Sequence, residues 1–264
     1  PAAFGRLERA GAGDCRITES VLYHHRPEIG GALKSGGVLT CRGPALIALA
    51  VGGTLRVAPD SVLKLDSATQ MTLQSGRIYL DFPPGGPGGP GGLGGLGGLG
   101  GGSGSLSVRT WAGTIDHVGT EFEVLSNQQV VRIRVREGRV QLRSESGRTL
   151  LDAGTQLTAN ADGSVVRKGI ESYGEDWSWV AQLAPDYEIE GQPLLNFLQW
   201  AARELGRPVK FSDPHAREVA EHTILHGSVK GREPMDALST VLSTTSLTYE
   251  IRGDTIWIKS YHGT

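Results

Sequence analysis

The chain has 264 residues, 39 of them glycine, with 38% hydrophobic residues and a net charge of −2. That length holds one large domain or two modest ones. A pI near 6.4 and the lack of a concentrated basic field argue against nucleic-acid binding, and no apolar run reaches the roughly 18 residues a membrane-spanning helix needs.

The chain opens Pro1-Ala2-Ala3-Phe4, with neither the charged start nor the apolar stretch of a signal peptide. It therefore reads as an excised piece whose membrane anchor lies upstream. Residues 1–35 are weakly patterned, with one strand expected near 20–23. Cys15 and Cys41 are the only cysteines. They fit either one disulfide in an oxidising compartment or two unlinked buried thiols. A bridge closing about 25 residues is worth about 3.5 kcal/mol in the chain-entropy picture.

Short strand signals follow at 46–51, 54–58, 62–66, 69–74 and 77–82, separated by Gly52-Gly53, Pro59-Asp60 and Ser75-Gly76. Many short strands at regular spacing predict an all-β unit of sandwich, barrel or solenoid form. Residues 83–105 pass from G-G-P to G-G-L repeats. A dinucleotide-binding glycine pattern occurs there by composition alone, without the strand-to-helix setting or the acidic residue it needs. The tract reads as an inserted flexible loop reaching about 25 Å end to end.

The β pattern resumes over 108–158 as three alternating phrases, each tied to a glycine at a turn. Alternation places Phe122 and Val124 on one face and Glu121 and Glu123 on the other. Val131, Ile133 and Val135 then point inward, leaving Arg132, Arg134 and Arg136 outward. Outward glutamates beside outward arginines predict cross-strand surface pairs of some tenths of a kcal/mol each. The sharper alternative, with Arg139 and Arg143 added, is a basic patch for phosphate or acidic lipid.

Residues 169–185 shift in composition and read as a connector that Trp177 and Trp179 dock onto a lobe. A different pattern occupies 186–260. Pro193 opens a helix carrying Leu194, Phe197, Leu198, Ala201 and Leu205 at three-four spacing, closed by Gly206. Strands are expected at 208–211 and 223–229, a second helix from Pro234, and a hairpin about Gly253-Asp254. The whole is mainly β: a β-rich lobe over 36–168 followed by a small α+β unit of β-α-β, β-α-β order. In the final strand the isoleucines face the core, so Trp257 faces out beside Lys259, whereas Tyr249 shares a face with Leu247 and Ile251. Trp257 and Lys259, with Glu250 and Arg252 on the paired strand, are the candidate partner contacts. The hairpin edge is a candidate for strand addition.

Catalytic and metal-binding arrangements are not evident. His24 and His25 are adjacent and point to opposite faces of a strand. His215, His222 and His226 lack a metalloprotease spacing, and His215 is expected in a turn. His117 and Asp116, as strand neighbours, face apart. Ser61, Ser75 and Ser107 lack a nucleophile elbow. No enzyme, cofactor or metal site is expected.

The phrases G-T-E-F-E-V at 119–124, E-G-R-V at 137–140 and L-D-A-G at 151–154 resemble the FecR family of bacterial transmembrane sensors. The phrases at 193–206, 224–242 and 247–258 resemble the short secretin and TonB N-terminal domain, STN. That tandem order implies the extracytoplasmic, periplasmic region of a FecR-like sigma-factor (anti-sigma) regulator acting in iron-uptake control. It implies binding, without chemistry, to the signalling domain of a TonB-dependent outer-membrane transporter. The alternative is a structural adaptor of a secretin-like envelope assembly. A carbohydrate-binding or enzymatic β-helix would need carboxylates or stacked aromatics along a groove, and few of either occur.

Overall fold

A computed structural model describes residues 2–11, 14–20, 23–82 and 106–261. The glycine tract 83–105 and part of the strand expected near 20–23 lie outside them. Among the described residues no helix is long and apolar enough to cross a membrane. The chain is mainly β and divides into two compact units, residues 1–171 and 172–264.

The larger unit begins with β1 (Ala3–Ala10), β2 (Cys15–Ser20), β3 (Tyr23–His25), β4 (Ala32–Lys34) and β5 (Val38–Cys41). Next come β6 (Ala45–Leu49), β7 (Thr54–Val57), β8 (Ser61–Ser67), β9 (Gln70–Asp81) and β10 (Ser107–Thr110). It ends with β11 (Gly113–Ser126), β12 (Val130–Ser144), β13 (Gly147–Asp152), β14 (Thr155–Asn160) and β15 (Val165–Gly169). All belong to one hydrogen-bonded network whose main path runs β15-β14-β12-β11-β10-β9-β7-β6-β1-β4.

Three long strands give this network its shape, because each changes partners half-way. Residues 70–75 of β9 pair with β8, and residues 76–81 pair with β11. The first half of β12 pairs with β14 and the second half with β13. In β11, the residues before the bend also pair with β10 and those after it with β9. Glycines with positive φ stand at these changes: Gly76 at 103°, Gly119 at 53° and Gly138 at 76°. At Gly138 a Cβ would lie 2.5 Å from the Gly119 carbonyl oxygen, so the two backbones meet where any side chain would intrude. The pairing register also slips between Val118 and Glu121, a bulge that increases bend and twist. Strands turn corners between layers by such means. The glycines of the two phrases therefore lie inside continuous strands, and the expectation that they close turns is corrected.

The core follows from alternation. Ile78, Leu80, Phe122, Val124, Val131, Ile133 and Val135 are buried in one apolar cluster, together with Leu63, Leu65 and Met71 from the earlier strands. The opposite face departs from expectation. Glu121, Glu123, Arg134 and Arg136 were expected in solvent and are 3, 0, 5 and 6% exposed. Register sets Arg56, Tyr79, Glu123, Arg134 and Gln156 side by side on five adjacent strands. At the ~4.8 Å spacing of strands, these long polar side chains lie against one another, Arg56 over the Tyr79 ring and Glu123 beside Arg134. Alternation shows which face is apolar; it does not show whether the other face meets water.

The smaller unit begins with a 3-10 turn (Glu175–Trp177) and α1 (Ser178–Gln182), so the stretch expected as a connector is folded from residue 172 onward and Trp177 is buried. Next come α2 (Leu194–Leu205), β16 (Val209–Phe211), α3 (Pro214–His222), α4 (Pro234–Leu242), β17 (Leu247–Arg252) and β18 (Thr255–Ser260). The three strands are ordered β16-β18-β17. Leu194, Phe197, Leu198, Leu238, Ile256 and Ile258 form its buried centre.

Two elements differ from expectation here. Asp213 caps α3 by accepting a hydrogen bond from the Ala216 amide at 2.7 Å, with Pro214 at the first helical position. His215 therefore sits on a helix and not in a turn. The strand expected at 223–229 is reduced to a single antiparallel bridge between Pro193 and Ile224. Gly227 and Gly231, at φ 107° and 73°, leave the extended region, and the Glu190 carboxylate holds the Gly227 amide at 2.7 Å.

Candidate partner-docking edge

The four candidate contact residues share the outer face of the small sheet. Register pairs Glu250 with Trp257, and Thr248 with Lys259. Glu250 accepts from Arg252 Nη2 at 2.9 Å and from Lys259 Nζ at 2.8 Å. Those bonds, Arg252 first and Lys259 next, hold its carboxyl down at about 2. Charges on the β17 side are thus already paired. Trp257 is half-buried, flanked by Glu250 on one strand and by Lys210 on the other. Tyr249 packs against the core, as its face predicts, and shares a hydrogen bond with Ser239 at 2.8 Å.

On the other side of β18 lies β16, expected as a strand from the sequence but absent from the candidate contacts, and it stands at the sheet edge. Lys210 is exposed and pairs in register with Trp257, its Nζ 5.7 Å from the indole ring centroid. Among the described residues it has no ion pair. A groove of about 720 Å³ opens along this strand, lined by Leu195 and Leu198 of α2, Phe211, Pro214 and Arg217 of α3, and Trp257. Arg217 is engaged by Glu221 at 2.8 Å, and Asp213 by its cap and by Ser260. Lys210 is therefore the cation available to a ligand in the groove. The alternation Val209-Lys210-Phe211 marks Lys210 as outward, and Asp213-Pro214 is a legible helix start. Which strand would stand at the edge had no signature, because strand order depends on pairing across more than forty residues.

Backbone groups sharpen the picture. The Ile256 amide donates to the Pro208 carbonyl, and the Ser212 amide donates to the Ile258 carbonyl. In a parallel pair alternate residues face the partner strand, so residues 208, 210 and 212 face β18. The N–H and C=O of Val209 and Phe211 point toward the open side.

The other candidates stay structural. Cys15 and Cys41 are bonded across the paired positions of β2 and β5, with an S–S distance of 2.10 Å. The basic patch does not form: Arg139 is bonded to Asp152 at 2.7 Å, Arg143 to Asp116 at 2.6 Å, and Arg132 and Arg134 both approach Glu123. Tyr79 donates to Glu121 at 2.7 Å, and burial first, Glu121 second, pushes its pKa well up. His226 bonds Glu190 and His222 bonds the Glu218 carbonyl. Among the described residues no three His, Cys, Asp or Glu gather as metal ligands. His117 is buried, stacked on Phe82 at 3.9 Å, and accepts from the Leu106 amide at 3.3 Å, whereas Asp116 turns away to Ser107 and Arg143.

No protein-family model matches the chain, and no curated protein sequence matches it. Two crystal structures of a proposed anti-sigma factor from Parabacteroides distasonis ATCC 8503, at 1.65 and 2.50 Å resolution, are similar in fold. They are 13% identical to this chain, at TM-scores of 0.41 and 0.40. The matches cover 86 and 83% of this chain and 97 and 95% of those chains. At that identity and score the functional reading rests on this chain's own residues.

Proposed function

We propose that the chain is a protein-binding region of a FecR-like sigma-factor regulator, located outside the cytoplasm, whose small unit docks the signalling domain of a TonB-dependent outer-membrane transporter. The observation that carries this reading is the open edge of β16 beside its groove, on the unit whose sequence resembles STN. In the large unit the charges that could have faced a partner are instead buried or paired, Glu121, Glu123, Arg134 and Arg136 in the sheet and Arg139 with Asp152, which suits a scaffold. A disulfide between Cys15 and Cys41 supports an oxidising compartment. Binding acts by differential affinity: the partner stabilises one state of the parent sensor and biases an equilibrium downstream.

Titration calorimetry of the folded chain against transporter signalling domains from the same genome tests it. Binding is expected from at least one domain, and Trp257→Ala is expected to weaken it about thirtyfold, the usual loss at a buried aromatic anchor. A folded chain that binds none of them would refute the assignment.

A further inference from the structure

We propose that β16 receives an extended segment of the partner as a fourth strand of the small sheet, with acidic side chains of that segment meeting Lys210. The inference rests on the docking reading above and names its chemistry. Three observations converge on it. Val209 and Phe211 direct their N–H and C=O groups to the open side of an edge strand, which is the template that strand addition uses. A groove runs along that strand and is bordered on the two faces of the sheet by different chemistry. On the helix side are Leu195, Leu198 and Phe211; on the outer side are Lys210 and Trp257.

A strand laid beside β16 presents its side chains alternately to those two faces. Its apolar positions fall against α2, and the positions between them fall beside Lys210. Because Lys210 is exposed and carries no carboxylate partner among the described residues, an acidic residue there completes a pair. The opposite edge of the sheet is less suited. Beside β17, Arg252 and Lys259 are both engaged by Glu250, so that side offers an acidic segment no cation comparable to Lys210.

The test uses the synthetic peptide Ac-Ser-Val-Glu-Val-Glu-Val-Ser-NH2 and the full chain, followed residue by residue by amide hydrogen exchange. Saturating peptide is expected to slow exchange at the Val209 and Phe211 amides and to leave Lys210, already bonded to β18, unchanged. Lys210→Glu is expected to weaken the peptide about tenfold or more, and a peptide with both glutamates replaced by lysine is expected to recover binding to that variant. Binding that leaves the Val209 and Phe211 amides unprotected overturns the proposal, as does indifference to Lys210→Glu or no binding at millimolar peptide. Dimerisation of the free chain through the same amides would assign the edge to a second copy and overturn it too. The peptide result stands apart from the signalling-domain titration: a domain that binds without protecting these amides leaves the function intact and removes only the strand-addition mode.

Discussion

His117 shows how far a single side chain can be read. Its neighbour Asp116 invites an acid–base pairing, yet strand alternation separates them, and the structure gives each its own partners. Burial pushes the imidazole down to about 4, against a smaller upward pull from Asp116. A depressed folded pKa means that the unfolded chain takes up the proton first. Stability from this site is full above 6.5 and is lost as pH falls toward 4. Between pH 7 and 4.5 the loss is about 2 kcal/mol, from the difference between the two pKa values. Urea denaturation of His117→Phe, which keeps a ring on Phe82 and cannot titrate, should show a pH dependence smaller by that amount. An unchanged dependence would remove His117 as its source. The sequence supplied only that His117 and Asp116 face apart. It did not supply the ring stacked on His117, because Phe82 and Leu106 are joined only through residues 83–105.

Among elements, the instructive case is the row of buried polar side chains crossing β7, β9, β11, β12 and β14. Burying Glu123 with Arg132 and Arg134 within 3.1 and 3.7 Å makes the pair costly to break, since the remaining charges stay desolvated. Glu123→Ala is expected to lower stability by about 3–5 kcal/mol. Arg139→Ala breaks a tighter but half-exposed bond to Asp152 and is expected to cost under about 1 kcal/mol. Equal losses in chemical denaturation would mean that the row is not shielded from water. Facing residues were readable because a two-residue period is a local property. Burial of the second face was not, because it depends on strands as distant as Arg56 and Gln156. The strand bends were half-legible: Gly119 and Gly138 were conspicuous, but a glycine that ends a strand and one that bends it look alike in sequence. α3 was missed although Asp213-Pro214 is a complete start signal, because its polar face gave only a weak apolar period.

At the scale of the molecule, the two units have separate apolar cores, and the only disulfide lies in the first. Trp111 is the sole tryptophan of the larger unit, while Trp177, Trp179, Trp200 and Trp257 report on the smaller one. The double variant Cys15→Ser/Cys41→Ser should lower the stability of the larger unit by about 3.5 kcal/mol, the value for a loop of this length. Far-ultraviolet circular dichroism, dominated by strands of the larger unit, should show that shift. Tryptophan fluorescence should show a transition that does not move. A single transition shifted equally in both signals would show that the units unfold as one.

The bend at Gly119 and Gly138 also bears on how this chain can drift over generations. A Cβ at Gly138 would collide with the carbonyl oxygen of Gly119 and with Thr120, and backbone cannot step aside as a side chain can. Gly138 therefore cannot be freed by a substitution at position 119, because every amino acid there carries the same carbonyl oxygen. Descendants that keep the corner keep Gly138, and those that lose it must rebuild the corner from different strands.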